Sequence, residues 1–115
     1  MSPIYHIAPA AHIERAARAG QYVPDAFATD GFIHCSRAHQ VKRVADAYFA
    51  GQRNLVLLEI DPSKLTCPVV DENLTGGADL YPHIYGPLPM TAVISVRELL
   101  SDAQGSFSLP CNLRD

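Results

Sequence analysis

The chain has 115 residues, 48% hydrophobic and 18% charged, the size and balance of one globular domain, so a disordered or fibrous architecture does not fit. A formal net charge of −3 offers no overall basic footprint for long nucleic acid, and apolar runs such as Val56 to Leu58 are too short to span a bilayer. The three cysteines, Cys35, Cys67 and Cys111, lack Cys-x-x-Cys spacing, which speaks for reduced thiols rather than a disulfide framework or a zinc ribbon.

The N-terminal Met-Ser-Pro-Ile-Tyr-His has neither the basic stretch nor the apolar segment of a secretory signal, and a soluble, cytoplasmic protein is expected. Ile4 to Ala8 reads as a strand with Ile4, His6 and Ala8 on one face and Tyr5 and Ile7 on the other. Pro9 suits the first turn of a helix, Ile13, Ala16 and Ala17 form its apolar stripe, and Gly20 suits its left-handed end. Residues 21–30 read as a loop. Phe32 to Cys35 forms a second strand, with Ser36 as N-cap of the next helix.

That helix, about Arg37 to Ala50, carries Val41, Val44, Ala45, Tyr48 and Phe49 at helical spacing and ends at Gly51; Lys42, Arg43 and Asp46 read as its solvated face. Leu55 to Asp61 is a buried strand, followed by a turn at Asp61-Pro62-Ser63 and a strand from Val69 to Glu72. Gly76-Gly77 marks a break, and Thr91 to Val96 is a last β-branched strand. The tail from Ser101, with Gly105 and Pro110, has no strong period. The pattern is α+β: a mixed or split sheet carrying two main helices, in one domain over residues 1–100 with a tail over 101–115.

Three histidines fall at strand ends or tight turns, where scaffolds display functional groups: His6, His34 in Asp30-Gly31-Phe32-Ile33-His34-Cys35-Ser36, and His83 in Tyr81-Pro82-His83-Ile84-Tyr85-Gly86-Pro87. Each taken alone reads more readily as a hydrogen-bonded core residue; together they suggest one cleft. Ser36 and Arg37 stand at the start of the strongest helix, where free N–H groups and the dipole favour a phosphate. Cys35 does not pair with His34 as a nucleophile, because strand neighbours point to opposite faces. No short metal-ligand spacing is present and no metal is expected. Glu59 stands out in an apolar strand, as a cleft carboxylate or as a residue near an exposed sheet edge.

Ile4-Tyr5-His6, the Asp30 to Ser36 motif, Leu55 to Asp61 and Pro82-His83-Ile84-Tyr85-Gly86-Pro87-Leu88 together resemble a bacterial family of uncharacterised function. That family is grouped with the ADP-ribosyltransferase-like fold, and the pattern is similar to its RNA 2′-phosphotransferase branch. The resemblance implies NAD as a co-substrate or an ADP-ribose-containing nucleotide as ligand, and an ADP-ribosyl- or phospho-transferase activity. It implies that His6 holds a ribose; in the reading built on it the helix N-terminus at Ser36 and Arg37 takes the pyrophosphate, Tyr85 adds to the nucleotide-binding residues, and His34 and His83 flank the reacting sugar, with the histidines as catalytic groups. Where many such enzymes carry a late-strand glutamate, this chain has His83 and Tyr85.

The expected partner is thus a small-molecule nucleotide or an RNA end, with no membrane. Two other classes stay open: a non-catalytic module that senses or sequesters a nucleotide, and a metal-dependent hydrolase with histidine ligands.

Overall fold

The computed structural model of the chain describes residues 2–74, 77–110 and 113. In chain order its elements are β1 (Ile4–Pro9), α1 (Ala10–Ala19), β2 (Gln21–Tyr22), α2 (Phe27–Asp30), β3 (Ile33–His34) and α3 (Val41–Tyr48), then β4 (Leu55–Ile60), β5 (Val69–Glu72), β6 (Tyr81–Ile84), β7 (Leu88–Pro89), β8 (Val93–Ser101) and β9 (Phe107–Ser108).

The main sheet runs β1-β4-β8-β9. β4 lies inside it, paired with β1 from Ile4↔Ile60 to Pro9↔Leu55 and with β8 on its other edge, and because both faces are covered there all six of its residues are buried. Strand alternation gives the sheet two apolar faces. Ile4, Ala8, Val56, Leu58 and Ile60 meet Ile13 and Ala16 of α1 together with Ile33 and Ile84. Tyr5, Ile7, Leu55 and Leu57 meet Val41 and Ala45 of α3, Leu99 and Phe107. The first strand therefore has the two faces its alternation predicts. Ala17 does not join the α1 stripe and is exposed.

Two smaller ladders, β3-β6-β5 and β2-β7, complete the fold. The class is α+β and the sheet is split, but every ladder among the described strands is antiparallel, so its strand directions are not mixed. Residues 21–30 are not a plain loop: Gln21 and Tyr22 pair with Pro89 and Leu88, and Phe27–Asp30 form one helical turn closed by Gly31 at φ 80°. These elements are too short to leave a periodic pattern.

Ser36 is not the cap expected of it. Its N–H donates to the Tyr5 carbonyl and its carbonyl accepts from the Tyr5 N–H, both at 2.8 Å, so the strand geometry runs one residue further than a cap allows. The helix begins later, through a 3₁₀ turn over Ala38–Gln40 into Val41–Tyr48, and the Arg37 N–H donates to Gln40 Oε1 at 2.8 Å. The helix's polar side is occupied rather than merely solvated. Arg43 binds Asp79 and the Tyr81 hydroxyl, and Lys42 and Asp46 hold the backbone of Phe107, at 3.0 Å to its carbonyl and 2.8 Å from its N–H.

Beyond Ser101, Phe107 accordingly joins the core: β9 pairs with the end of β8 and Phe107 is 2% exposed. Glu59 is not near an open edge, because β4 is interior; its carboxylate meets Arg97 Nη2 at 3.3 Å and Ser95 Oγ at 3.4 Å from β8. The expected break at Gly76-Gly77 has Gly76 outside the described residues, as Cys111 is.

Candidate functional site

The β3-β6-β5 ladder sets its two faces by register. Ile33 pairs with Ile84 and His34 with His83; Ile33, Cys35 and Ile84 enter the core, so Phe32, His34, His83 and Tyr85 share the outer face. On that face the Phe32 ring stacks on His83 at 4.0 Å between centroids, and the His34 and His83 rings meet edge-on at 5.3 Å. Tyr85 stands 5.3 Å from Phe32.

Each of these two imidazoles is tied to a carboxylate. Gly31, in the left-handed region, turns the chain out of α2 so that Asp30 lies over His34, Oδ2 to Nε2 at 2.8 Å. Glu72 at the end of β5 reaches His83 Nδ1 at 2.9 Å and also accepts from the Tyr85 hydroxyl. The Tyr85 hydroxyl first, and His83 second, hold the Glu72 carboxyl below its usual range, while the same carboxylate raises the Tyr85 phenol. With Nδ1–H directed at Glu72, the Nε2 lone pair of neutral His83 is left for a ligand. His34 has the opposite arrangement, Nε2 tied and Nδ1 available. Their environments differ: the His34 side chain is 60% exposed, that of His83 only 6%.

His6 lies behind this face rather than on it. A carbonyl only accepts, so the 2.6 Å contact of His6 Nδ1 with the His34 carbonyl places the proton on Nδ1, and Nε2 accepts from the Tyr22 hydroxyl at 3.2 Å. Burial lowers the His6 pKa to about 4 and raises that of Tyr22 to about 12. His6 is therefore a neutral positioning residue that holds the backbone of His34.

Arg37 and Ser36 do not join the histidines. The Ser36 and Arg37 amides are spent internally, and Arg37 Nη2 donates to both Asp71 oxygens, at 2.9 and 3.0 Å. That ion pair lines an open cavity of about 840 Å³ on the other side of β5, with Ile4, Cys67, Val69 and His39, into which none of His6, His34, His83 or Tyr85 projects. The single cleft expected from the sequence is thus two places separated by β5, whose residues alternate between them: Glu72 outward, Asp71 to the cavity. Cys35 is buried and its thiol is pushed up by burial, which fits its exclusion as a nucleophile. Among the described residues no group of three histidine, cysteine or acidic side chains is placed to hold a metal.

Sequence reasoning missed Asp30, Phe32, Glu72 and Tyr22 as partners of the histidines. Asp30 had a signal, standing four residues before His34 in the same motif with a glycine between. Glu72 had none, since its contact depends on the register of β5 against β6.

The fold and site define a small α+β protein whose outward β-face carries two carboxylate-backed histidines, with no helix among the described residues long and apolar enough to cross a membrane. Residues 7–96 match the family described as "Protein of unknown function (DUF952)", and the chain belongs to it. It is similar to protein CC0527 from Caulobacter crescentus: the crystal structure is 33% identical with a TM-score of 0.84, covering 93% of this chain and 94% of that one. The solution NMR structure of CC0527 is 36% identical with a TM-score of 0.80, covering 92% and 91%. No curated protein matches the chain.

Proposed function

We propose that the outer face of β3-β6-β5 binds the ribose end of an ADP-ribose-containing nucleotide, with NAD as co-substrate, and catalyses group transfer there through His34 and His83. The observation that carries this reading is the pair of imidazoles at 5.3 Å, each with one ring nitrogen held by a carboxylate. Such a pair presents a base and an acid side by side to one reacting group: one lone pair takes a proton from an incoming hydroxyl, and the other ring, protonated, returns one to the leaving group. Tyr85, 36% exposed, offers an aromatic edge to a base or nicotinamide ring. The resemblance to the ADP-ribosyltransferase-like fold, and to its RNA 2′-phosphotransferase branch, supports the choice of ligand.

The histidine face fits the ribose half of such a ligand and not its pyrophosphate at Ser36 and Arg37, whose amides are engaged elsewhere and whose guanidinium lines the separate cavity beside Asp71. The diphosphate is therefore left to solvent. Histidine ring resonances followed by NMR during titration with NAD and with ADP-ribose test the reading. Those of His34 and His83 are expected to move together while His12 and His39 stay fixed. His34→Ala is expected to lower turnover about a hundredfold or more; unchanged turnover removes the catalytic role. Saturable binding with no turnover would instead favour a nucleotide-sequestering module on the same face.

A further inference from the structure

The cavity behind β5 is built differently from the histidine face. Pro62, Cys67 and Val69 give it an apolar lining backed by the buried Ile4, and the ion pair of Arg37 and Asp71 gives it a charged one. Its volume, about 840 Å³, falls within the roughly 300–1,000 Å³ range of small-molecule pockets.

The charges decide what such a cavity accepts. A plain anion approaching Arg37 meets Asp71, and a plain cation approaching Asp71 meets Arg37, so neither gains a net attraction. A ligand carrying both charges side by side completes the pair without leaving a charge unmatched. The geometry leaves room for it. Both hydrogen bonds to Asp71 start from Nη2; Nη1 and Nε, which lie on opposite sides of the guanidinium, make no hydrogen bond among the described residues, so each can donate singly to a carboxylate oxygen. The Asp71 side chain is 47% exposed, and its oxygens retain lone pairs for an ammonium.

We propose that this cavity binds a free α-amino acid with an apolar side chain: the carboxylate on Arg37, the ammonium on Asp71, and the side chain on Pro62, Cys67 and Val69. This site is independent of the nucleotide reading, because no residue of the histidine face lines it.

The test titrates the full chain with L-leucine, following the His39 ring and the Ile4 and Val69 methyl resonances by NMR. The expected result is saturable movement of these signals with His34 and His83 fixed. Leucine should bind at least about tenfold more tightly than N-acetyl-leucine, which lacks the ammonium, and than leucinamide, which lacks the carboxylate. Glycine should bind at least about tenfold more weakly for want of the side chain. Arg37→Gln and Asp71→Asn, checked for unchanged melting, should each weaken leucine by a similar factor. Equal binding of leucine and N-acetyl-leucine would overturn the proposal in favour of a simple anion site. Equal binding of phosphoethanolamine would overturn it in favour of a zwitterionic headgroup, and no saturation at millimolar leucine overturns it outright. Because the nucleotide titration reads His34 and His83 and this one reads His39, the failure of either reading leaves the other standing.

Discussion

His6 donates its Nδ1–H to the backbone carbonyl of His34 at 2.6 Å, so a buried imidazole fixes the strand from which an exposed one projects. The contact has a pH signature. Burial lowers the His6 pKa from 6.5 to about 4 in the folded chain, whereas the unfolded chain keeps the ordinary value. Between those values the unfolded state binds more protons, so stability is lost as pH falls from 6.5 towards 4 and is unaffected by His6 above that window. The shift corresponds to roughly 3 kcal/mol. Urea unfolding measured across pH 4 to 7 should show this slope. His6→Asn, which keeps a donor near Nδ1 but cannot titrate, should remove it; an equal slope in the variant refutes the assignment.

Glu72 joins His83 and Tyr85 through one oxygen. Glu72→Gln weakens the hydrogen bond that chiefly raises the Tyr85 phenol and removes the charge that adds to it, so its titration should move down towards the ordinary tyrosine range of about 10. A spectrophotometric phenol titration of the two proteins detects this as one tyrosine of the set ionising earlier. The same change leaves His83 without a carboxylate to set its tautomer, and turnover on the nucleotide should fall about tenfold or more. Superimposable phenol titrations would mean that the Glu72–Tyr85 contact is not held in solution.

How much of this was legible in the sequence depends on how local each contact is. The two faces of β1 and the buried run of β4 follow from side-chain alternation, and Gly20 ends α1 as its position suggests, at φ 88°. His34 and His83 were conspicuous because they fall at strand ends or tight turns, where scaffolds display functional groups. A shared cleft for them was expected, but their direct pairing across β3 and β6 was not legible, nor were Glu72 and Asp71 as partners of His83 and Arg37, because one residue of slip between β5 and β6 exchanges which side chain faces out. The division of the expected cleft has the same origin. Ser36 has the chemistry of a cap, but pairing with Tyr5, distant in sequence, takes its backbone first. The pairing of β9 was hidden for a related reason: a two-residue strand has no period, and only Phe107 hints at burial.

Phe107 is expected to be a principal anchor of the second core. Its side chain packs among Tyr5, Leu55 and Val41, and its N–H and carbonyl are held by Asp46 and Lys42. Phe107→Ala should destabilise the chain by about 3–5 kcal/mol, the range for emptying a buried aromatic site. Chemical denaturation monitored by circular dichroism measures it. A loss below about 1 kcal/mol, the level of a surface substitution, would show that the segment after Ser101 does not belong to the folded core.

Gly86 in the Tyr85-Gly86-Pro87 turn is required for a different reason from the helix-ending glycines. Its φ is not positive; what excludes a side chain is Cys67, whose Cβ and Sγ would lie 2.7 and 2.9 Å from an added Cβ. Gly86→Ala must therefore push apart the segments before β5 and after β6, where the Tyr85 N–H donates to the Pro68 carbonyl at 2.9 Å, and should cost about 1–3 kcal/mol. Because the clash is with one side chain, Cys67→Gly should relieve it. In the double variant the penalty of the alanine should shrink to within a few tenths of a kcal/mol, a coupling that a double-mutant cycle reads directly. If the alanine costs as much with Cys67 removed as with it present, the restriction at position 86 lies in the backbone and not in the close approach of these two turns.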